Sequence, residues 1–263
     1  ISEIGNSESQ IFSYMQDYYT NNPELTFLLI VGDHGQVNTY NAGWTGQETK
    51  WSDAKYALLS GNDHYPEIFV GRFSANDAEE LQIMLDRNNE YEITPMNGDW
   101  YLKAIGLGSN EGAGYGDNGE ADWQHLRNIR TDLLNYGFTD VFEFYDGSQG
   151  GNDDSGNPNS SEIKDKVNEG VTLFNYTGHG AQNVCVTGNF ASSHINSATN
   201  NGRYPYVVSV ACNNGTFTSG TCISEVWQRA ENSSGPTGAI MAAGSSILMS
   251  WAPPMATQDE IVD

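Results

Sequence analysis

The sequence predicts an α/β protein: a doubly wound, mainly parallel sheet flanked by helices, in two subdomains. Short, almost continuously apolar runs recur along the chain, Leu25–Val31 (LTFLLIV) being the clearest. Strands of that composition are buried on both faces, as in parallel sheets. Segments of helical spacing lie between these runs, and alternation of strand and helix builds a parallel sheet. The 263 residues are 38% hydrophobic and 11% aromatic, enough for a substantial core.

Taken in order, residues 10–20 have helical spacing and Leu25–Val31 is the first strand, ending in Gly32-Asp33-His34. Ile68–Phe73 is a second strand. Ala78–Tyr91 reads as a helix with Leu81, Met84 and Leu85 near one stripe. Pro95–Asp99 reads as a connector, so a subdomain boundary is placed at 96/97, giving subdomains 1–96 and 97–263. Strand Tyr101–Leu107, helix Ala121–Tyr136 and strand Val141–Tyr145 follow. A loop rich in Gly, Asn, Asp and Ser then leads to a helix near Ser161–Asn168 and to strand Val171–Tyr176. Strands Tyr206–Ala211 and Gly238–Ala243 flank helix Ile223–Glu231.

Thirty-four acidic against eleven basic residues give a formal charge of −23. Such a surface repels nucleic acid and anionic membranes and favours cationic substrates and divalent cations. No run approaches the roughly 20 apolar residues of a membrane span. The chain opens mid-pattern at Ile1, which suggests a mature or excised fragment. Three cysteines are too few for a disulfide scaffold; Cys185 and Cys222 are either a pair or two buried thiols.

Two reactive side chains sit at the carboxyl ends of strands, where open α/β sheets bind ligands. Val171–Tyr176 runs into Thr177-Gly178-His179-Gly180, and Tyr206–Ala211 runs into Cys212-Asn213-Asn214-Gly215. The interval suits one crossover between neighbouring parallel strands. An imidazole beside a thiol generates a nucleophilic thiolate near neutral pH. The amides of Gly180 and Cys212 are the candidate oxyanion donors. Each residue also has an ordinary reading, as a small buried hydrophobe or a surface imidazole.

Longer stretches carry a resemblance. The segments LFNYTGHG (173–180), YVVSVACNNG (206–215), PTGAIMAAGSS (236–246) and SWAPPMATQDE (250–260) are similar to the gingipain family of cysteine peptidases. So are FLLIVGDH (27–34), GNDHYPEIFVGRFS (61–74) and DNGEADWQH (117–125), in the same order along the chain. The arginine-specific branch is the nearer one. The resemblance implies a caspase-like fold with a partial N-terminal subdomain and a C-terminally truncated catalytic one. It implies a secreted or cell-surface bacterial endopeptidase, made as a zymogen, that cleaves after a P1 arginine and meets other fragments of its own precursor.

Residue by residue, it makes Cys212 the nucleophile, His179 the acid/base and Glu111 the group that orients the imidazole. Asp122 would lie at the floor of the P1 pocket, with Trp251 and Met255 as its walls. Met249 stands where that branch has a polar residue, and Gln182 replaces an acidic one. Structural calcium is also implied, with Asp33, Asp63, Glu67 and the carbonyls of Ser60 and Tyr65 forming one site. Glu120 and His125 match a second cation-associated position. The rival functions are a sortase-like transpeptidase of the same fold and a non-catalytic, calcium-stabilised surface module.

Overall fold

The structure, a computed structural model, describes residues 3–262. The chain divides into two units. One takes the residues up to Gln82 together with Phe217–Gly220, and the other takes Ile83–Thr216 and Thr221–Asp263. The division falls inside a helix, before the connector at which the sequence suggested a boundary.

In the first unit, α1 (Glu8–Asn21) is followed by β1 (Phe27–Val31), β2 (Tyr40–Trp44), β3 (Thr49–Ser52) and β4 (Phe69–Phe73). Ser7 caps α1: its hydroxyl accepts from the Gln10 amide at 3.3 Å, while the Gln10 side chain accepts from the Ser7 amide at 3.2 Å. β1 and β4 run parallel, from Phe27 beside Phe69 to Val31 beside Phe73. Met15, Ala57, Leu59 and Ile68 form the core of the unit. β2 and β3 form an antiparallel hairpin that the sequence did not announce, because Tyr-Asn-Ala-Gly-Trp lacks an alternating apolar pattern.

Helix α2 (Ala78–Glu92) crosses the division. The second unit then runs β5 (Lys103–Gly108), α3 (Asp122–Tyr136), β6 (Asp140–Tyr145), α4 (Ser160–Glu169) and β7 (Leu173–Thr177). Three two-residue strands follow: β8 (Gly180–Ala181), β9 (Val184–Cys185) and β10 (Phe190–Ala191). After them come α5 (Ser192–Asn196), β11 (Tyr206–Val210), α6 (Ile223–Arg229), β12 (Glu231–Asn232), β13 (Gly235–Pro236), β14 (Met241–Gly244) and α7 (Ala252–Val262). The main sheet has the order β14-β11-β7-β5-β6 and is parallel throughout.

Side chains alternate across a strand, and here both sets are covered. Ile105, Leu107, Phe174, Tyr176 and Val207 pack with Ile163 and Val167 of α4 and with Ile223, Val226 and Trp227 of α6. Ala104, Val141, Leu173 and Val208 pack with Leu126, Ile129 and Leu133 of α3, and Val262 of α7 joins them. This double cover is the physical reason for the near-continuous apolar runs.

One expectation changes, and one helix is added. Gly238 is not in a strand: it has φ +77°, and a Cβ there would lie 2.2 Å from the Trp227 carbonyl oxygen. It turns the chain into β14. Residues 252–262 form α7, which Pro253 and Pro254 mask in the sequence. Prolines are tolerated in a first helical turn, where amides have no helical partner. No helix among the described residues is long and apolar enough to cross a membrane.

Phe174 is 1% exposed, with the rings of Phe190 and Trp227 each 5.6 Å from its own. Phe174→Ala is expected to lower unfolding stability by about 3–5 kcal/mol through lost burial and a residual cavity, measured by urea denaturation.

Candidate active site

β7 and β11 are adjacent, with Leu173 beside Tyr206 and Thr177 beside Val210. His179 and Cys212 each lie two residues beyond that last matched pair, so parallel pairing delivers both to one level. Pairing persists one step further, the Gly178 amide donating to the Val210 carbonyl at 3.1 Å. Beyond it the chain must pass very close to the thiol loop. A Cβ on Gly180 would lie 2.6 Å from the Cys212 carbonyl oxygen and 2.8 Å from the Ala211 Cβ, a space only glycine fits.

The His179 ring is 48% exposed, and its Nε2 lies 2.9 Å from Glu111 Oε2. Nδ1 is therefore the ring nitrogen that Glu111 leaves for proton transfer. No hydrogen bond joins the imidazole to the thiol. The ring is held edge-on by Trp251, centroids 5.7 Å apart at 80°. Its backbone is held too, since the His179 carbonyl accepts from the Val186 amide at 3.0 Å and from the Tyr176 hydroxyl.

Cys212 is half-buried. It is followed by Asn213 at φ +61°, a left-handed conformation that asparagine tolerates better than most residues. The segment before α7 frames the thiol: the Met249 amide approaches Cys212 Sγ at 3.4 Å and the Asn213 amide donates to the Ile247 carbonyl at 3.1 Å. Met249, where a polar side chain was expected, thus meets the sulfur through its backbone. Gln182, where an acid was expected, donates to the Thr216 carbonyl at 2.9 Å.

Asn214, wholly buried, is a residue to which the sequence reading gave no part in the site. Its amide nitrogen donates to the carbonyls of Ala181 at 2.6 Å and Val184 at 3.1 Å. Its oxygen accepts from the Ser209 hydroxyl at 2.7 Å. It clamps the β8–β9 hairpin, which carries Gly180, onto the nucleophile loop.

All three cysteines are free, so Cys185 and Cys222 are two buried thiols and not a pair. Burial pushes the Cys222 thiol up to about 12, and burial raises Cys185 further still.

Asp122 opens α3 and is wholly buried. Burial raises its pKa, and two donors oppose that rise. The Ser109 hydroxyl donates to Oδ2 at 2.6 Å and the Trp251 indole to Oδ1 at 2.8 Å. The positive end of α3 also favours the anion. Gly112, at φ +80°, passes so close that a Cβ would lie 2.6 Å from Asp122 Oδ1. Met255, one turn into α7, is fully buried, its amide 3.2 Å from the Trp251 carbonyl. The structure thus brings Asp122 and Trp251 together, with the indole seated on the carboxylate.

The cation residues divide. Among the described residues, the carboxylates of Asp33, Asp63 and Glu67 do not all lie within 4.8 Å of one another. Asp33 accepts from the His34 amide at 2.5 Å, Asp63 from the Tyr65 amide at 3.0 Å, and Glu67 from the Leu59 and Ser60 amides at 2.6 and 2.9 Å. Glu120 and His125 do meet, Oε1 to Nδ1 at 3.1 Å. Asp117 and Asp259 join them, at 3.8 Å from Nδ1 and 3.7 Å from Nε2. One donor atom each from Asp117, His125 and Asp259 falls within 4.8 Å of the others. Asp117 Oδ1 and His125 Nε2 are buried without hydrogen-bond partners, and burial, reinforced by the neighbouring Asp117 and Glu120, pushes Asp259 up to about 6.

The profile of Peptidase family C25 matches residues 2–261. The chain belongs to peptidase family C25. Gingipain R2 of Porphyromonas gingivalis is 36% identical over 248 residues, 94% of this chain and 32% of that relative. Lys-gingipain W83 of the same species is 26% identical over 258 residues, 95% of this chain and 14% of that relative. The crystal structure of the Arg specific cysteine proteinase gingipain R superimposes on 99% of this chain and 58% of its own, with a TM-score of 0.90 and 34% identity. This C25 chain thus spans about a third of the length of gingipain R2, has its caspase-like α/β fold, and is nearer the gingipain R branch than the Lys-gingipain.

A small alkylating agent such as iodoacetamide is expected to modify Cys212 of the folded protein first, with Cys185 and Cys222 protected until denaturant is added. Mass mapping of the modified peptides checks the order.

Proposed function

We propose that this chain is the catalytic part of a secreted bacterial cysteine endopeptidase that hydrolyses peptide bonds after arginine. The observation that carries this is the convergence of Cys212, His179 and Glu111 at the ends of adjacent strands, beside the buried carboxylate of Asp122. Similarity to the gingipain R branch supports both the activity and a place outside the cell, where other fragments of the precursor would be partners.

The Cys212 thiolate attacks the carbonyl carbon that follows the P1 arginine, forming the C–S bond of a tetrahedral intermediate. The Gly180 and Cys212 amides would receive the oxyanion. His179 gives a proton to the departing amine as the C–N bond breaks, leaving a thioester. It then takes a proton from the water that attacks the thioester, and returns it to sulfur as the acid leaves. Glu111, 2.9 Å from Nε2, holds the ring in place. Arginine enters over Asp122 by displacing the Trp251 indole from Oδ1, and the freed ring and Met255 flank its aliphatic stem and guanidinium plane.

The same reading includes structural cations. The carboxylates of Asp117, Glu120 and Asp259, with the unpartnered atoms Asp117 Oδ1 and His125 Nε2, fit a divalent ion, and their oxygens fit calcium. Asp33, Asp63 and Glu67, with the carbonyls of Ser60 and Tyr65, would supply the oxygens for further structural calcium. Bound only to the folded state, these ions stabilise it by mass action.

Cys212→Ala is expected to abolish turnover of an arginyl amide and leave the melting temperature nearly unchanged; residual turnover at the wild-type rate would remove Cys212 from the role. Asp122→Asn keeps the shape but loses the charge. A buried charge-assisted hydrogen bond contributes about 1.5–3 kcal/mol, so arginyl turnover should fall roughly ten- to hundred-fold with Cys212 alkylation by iodoacetamide intact. An unchanged arginine preference in that variant refutes the pocket. Calcium should raise the melting temperature relative to excess chelator, read by calorimetry after prolonged dialysis, and no difference refutes the cation sites.

A further inference from the structure

Ser109 follows the last residue of β5 and is buried. Every polar group it has is engaged. Its amide donates to the Thr177 carbonyl of β7 at 3.0 Å, and its carbonyl accepts from the Trp123 amide in the first turn of α3 at 3.1 Å. Its hydroxyl donates to Asp122 Oδ2 at 2.6 Å and accepts from the Glu111 amide at 3.0 Å. A carboxylate only accepts and an amide only donates, so the direction of both bonds is fixed. One oxygen atom therefore joins the P1 carboxylate to the backbone of the residue that faces the imidazole.

We infer that Ser109 is a positioning residue for P1 specificity: its hydroxyl sets the rotation of the Asp122 carboxylate so that arginine is received in preference to lysine. This deepens the pocket assignment of Asp122 and rests on it. The carboxylate torsion of aspartate is broad when nothing holds it. Trp251 occupies Oδ1, the oxygen an entering guanidinium must share, so it cannot fix the carboxylate while substrate is bound. Ser109 holds Oδ2 from the protein side and stays in place. A planar guanidinium making two parallel bonds depends on that rotation, whereas a lysine ammonium meets the carboxylate as a point charge. Loss of the hydroxyl should therefore fall harder on arginine than on lysine. The bond from the Glu111 amide gives a second effect, common to both substrates, because it places Glu111 and through it His179.

The test uses matched arginyl and lysyl amide substrates. Ser109→Ala is expected to lower kcat/KM for the arginyl substrate about ten- to hundred-fold, the range of one charge-assisted hydrogen bond. It should narrow the Arg/Lys ratio chiefly through KM, and the shared loss should appear in kcat. In the Asp122→Asn background the same substitution should leave the ratio unchanged. Ser109→Thr and Ser109→Val, of equal shape and differing in the hydroxyl, give the same comparison if the alanine variant does not fold, with the ratio retained only by threonine. An equal fall on both substrates, or a ratio that still narrows in the Asp122→Asn background, overturns the inference while leaving the pocket standing. If Asp122→Asn alone leaves the Arg/Lys ratio intact, the pocket assignment fails, and the inference with it.

Discussion

The parallel pairing of β7 with β11 is the constraint on which the site depends. Side-chain level in a parallel ladder is set by register, and a slip of one residue sends every side chain to the opposite face. With Thr177 beside Val210, the imidazole and the thiol leave the sheet together. Shifted by one, His179 and Cys212 would stand at different heights and their flanking glycines would face the wrong loops. Register is held from both sides of the sheet. Phe174, Tyr176 and Val207 pack against α4 and α6, while Leu173 and Val208 pack against α3. The apolar core therefore specifies the geometry of the candidate site, although none of its residues carries chemistry.

Beyond the strand ends, apolar packing gives way to buried polar bonds. Asn214 ties the β8–β9 hairpin to the Cys212 loop through three of its hydrogen bonds, counting the weak 3.6 Å contact from Cys185 Sγ, and a fourth comes from Ser209 of β11. Ser109 ties the β5 loop to α3. Such groups contribute about 1 kcal/mol each when satisfied and cost more when one partner is removed. Their value lies in direction: a donor and an acceptor fixed in space orient a loop more sharply than an apolar contact does. The closeness they permit explains Gly112 and Gly180, where a Cβ would collide with Asp122 and with the Cys212 carbonyl.

Much of this was legible in the sequence because strands buried on both faces and amphipathic helices leave periodic traces. The helices from 78 and 223 and the strands ending near His179 and Cys212 are of that kind. What escaped left no period to read. The two-residue strands β8, β9 and β10 are too short for alternation, the β2–β3 hairpin has polar and glycine positions where apolar ones were sought, and α7 hides behind Pro253 and Pro254. Cys212, His179, Glu111 and Asp122 could be named from residue type and resemblance. Ser109 and Asn214 could not, since small polar residues gain a role only from partners distant in sequence. Asp259 likewise meets Asp117 and His125 from the far end of the second unit's sequence, and only folding brings it to them.

The charge of the chain acts at two ranges that should be kept apart. The formal −23 is spread largely over exposed carboxylates, whose field is screened beyond roughly 8 Å at physiological ionic strength. It raises the encounter rate of any cationic peptide and does not distinguish lysine from arginine. Asp122 is different: it has no exposed surface, so bulk salt screens it little, and Ser109 donates to its Oδ2 from the protein side. On the proposed reading, added salt should therefore slow capture of arginyl and lysyl substrates alike and leave their ratio unaltered. Discrimination then belongs to the orientation of one buried carboxylate, and the acidic surface contributes attraction without choice.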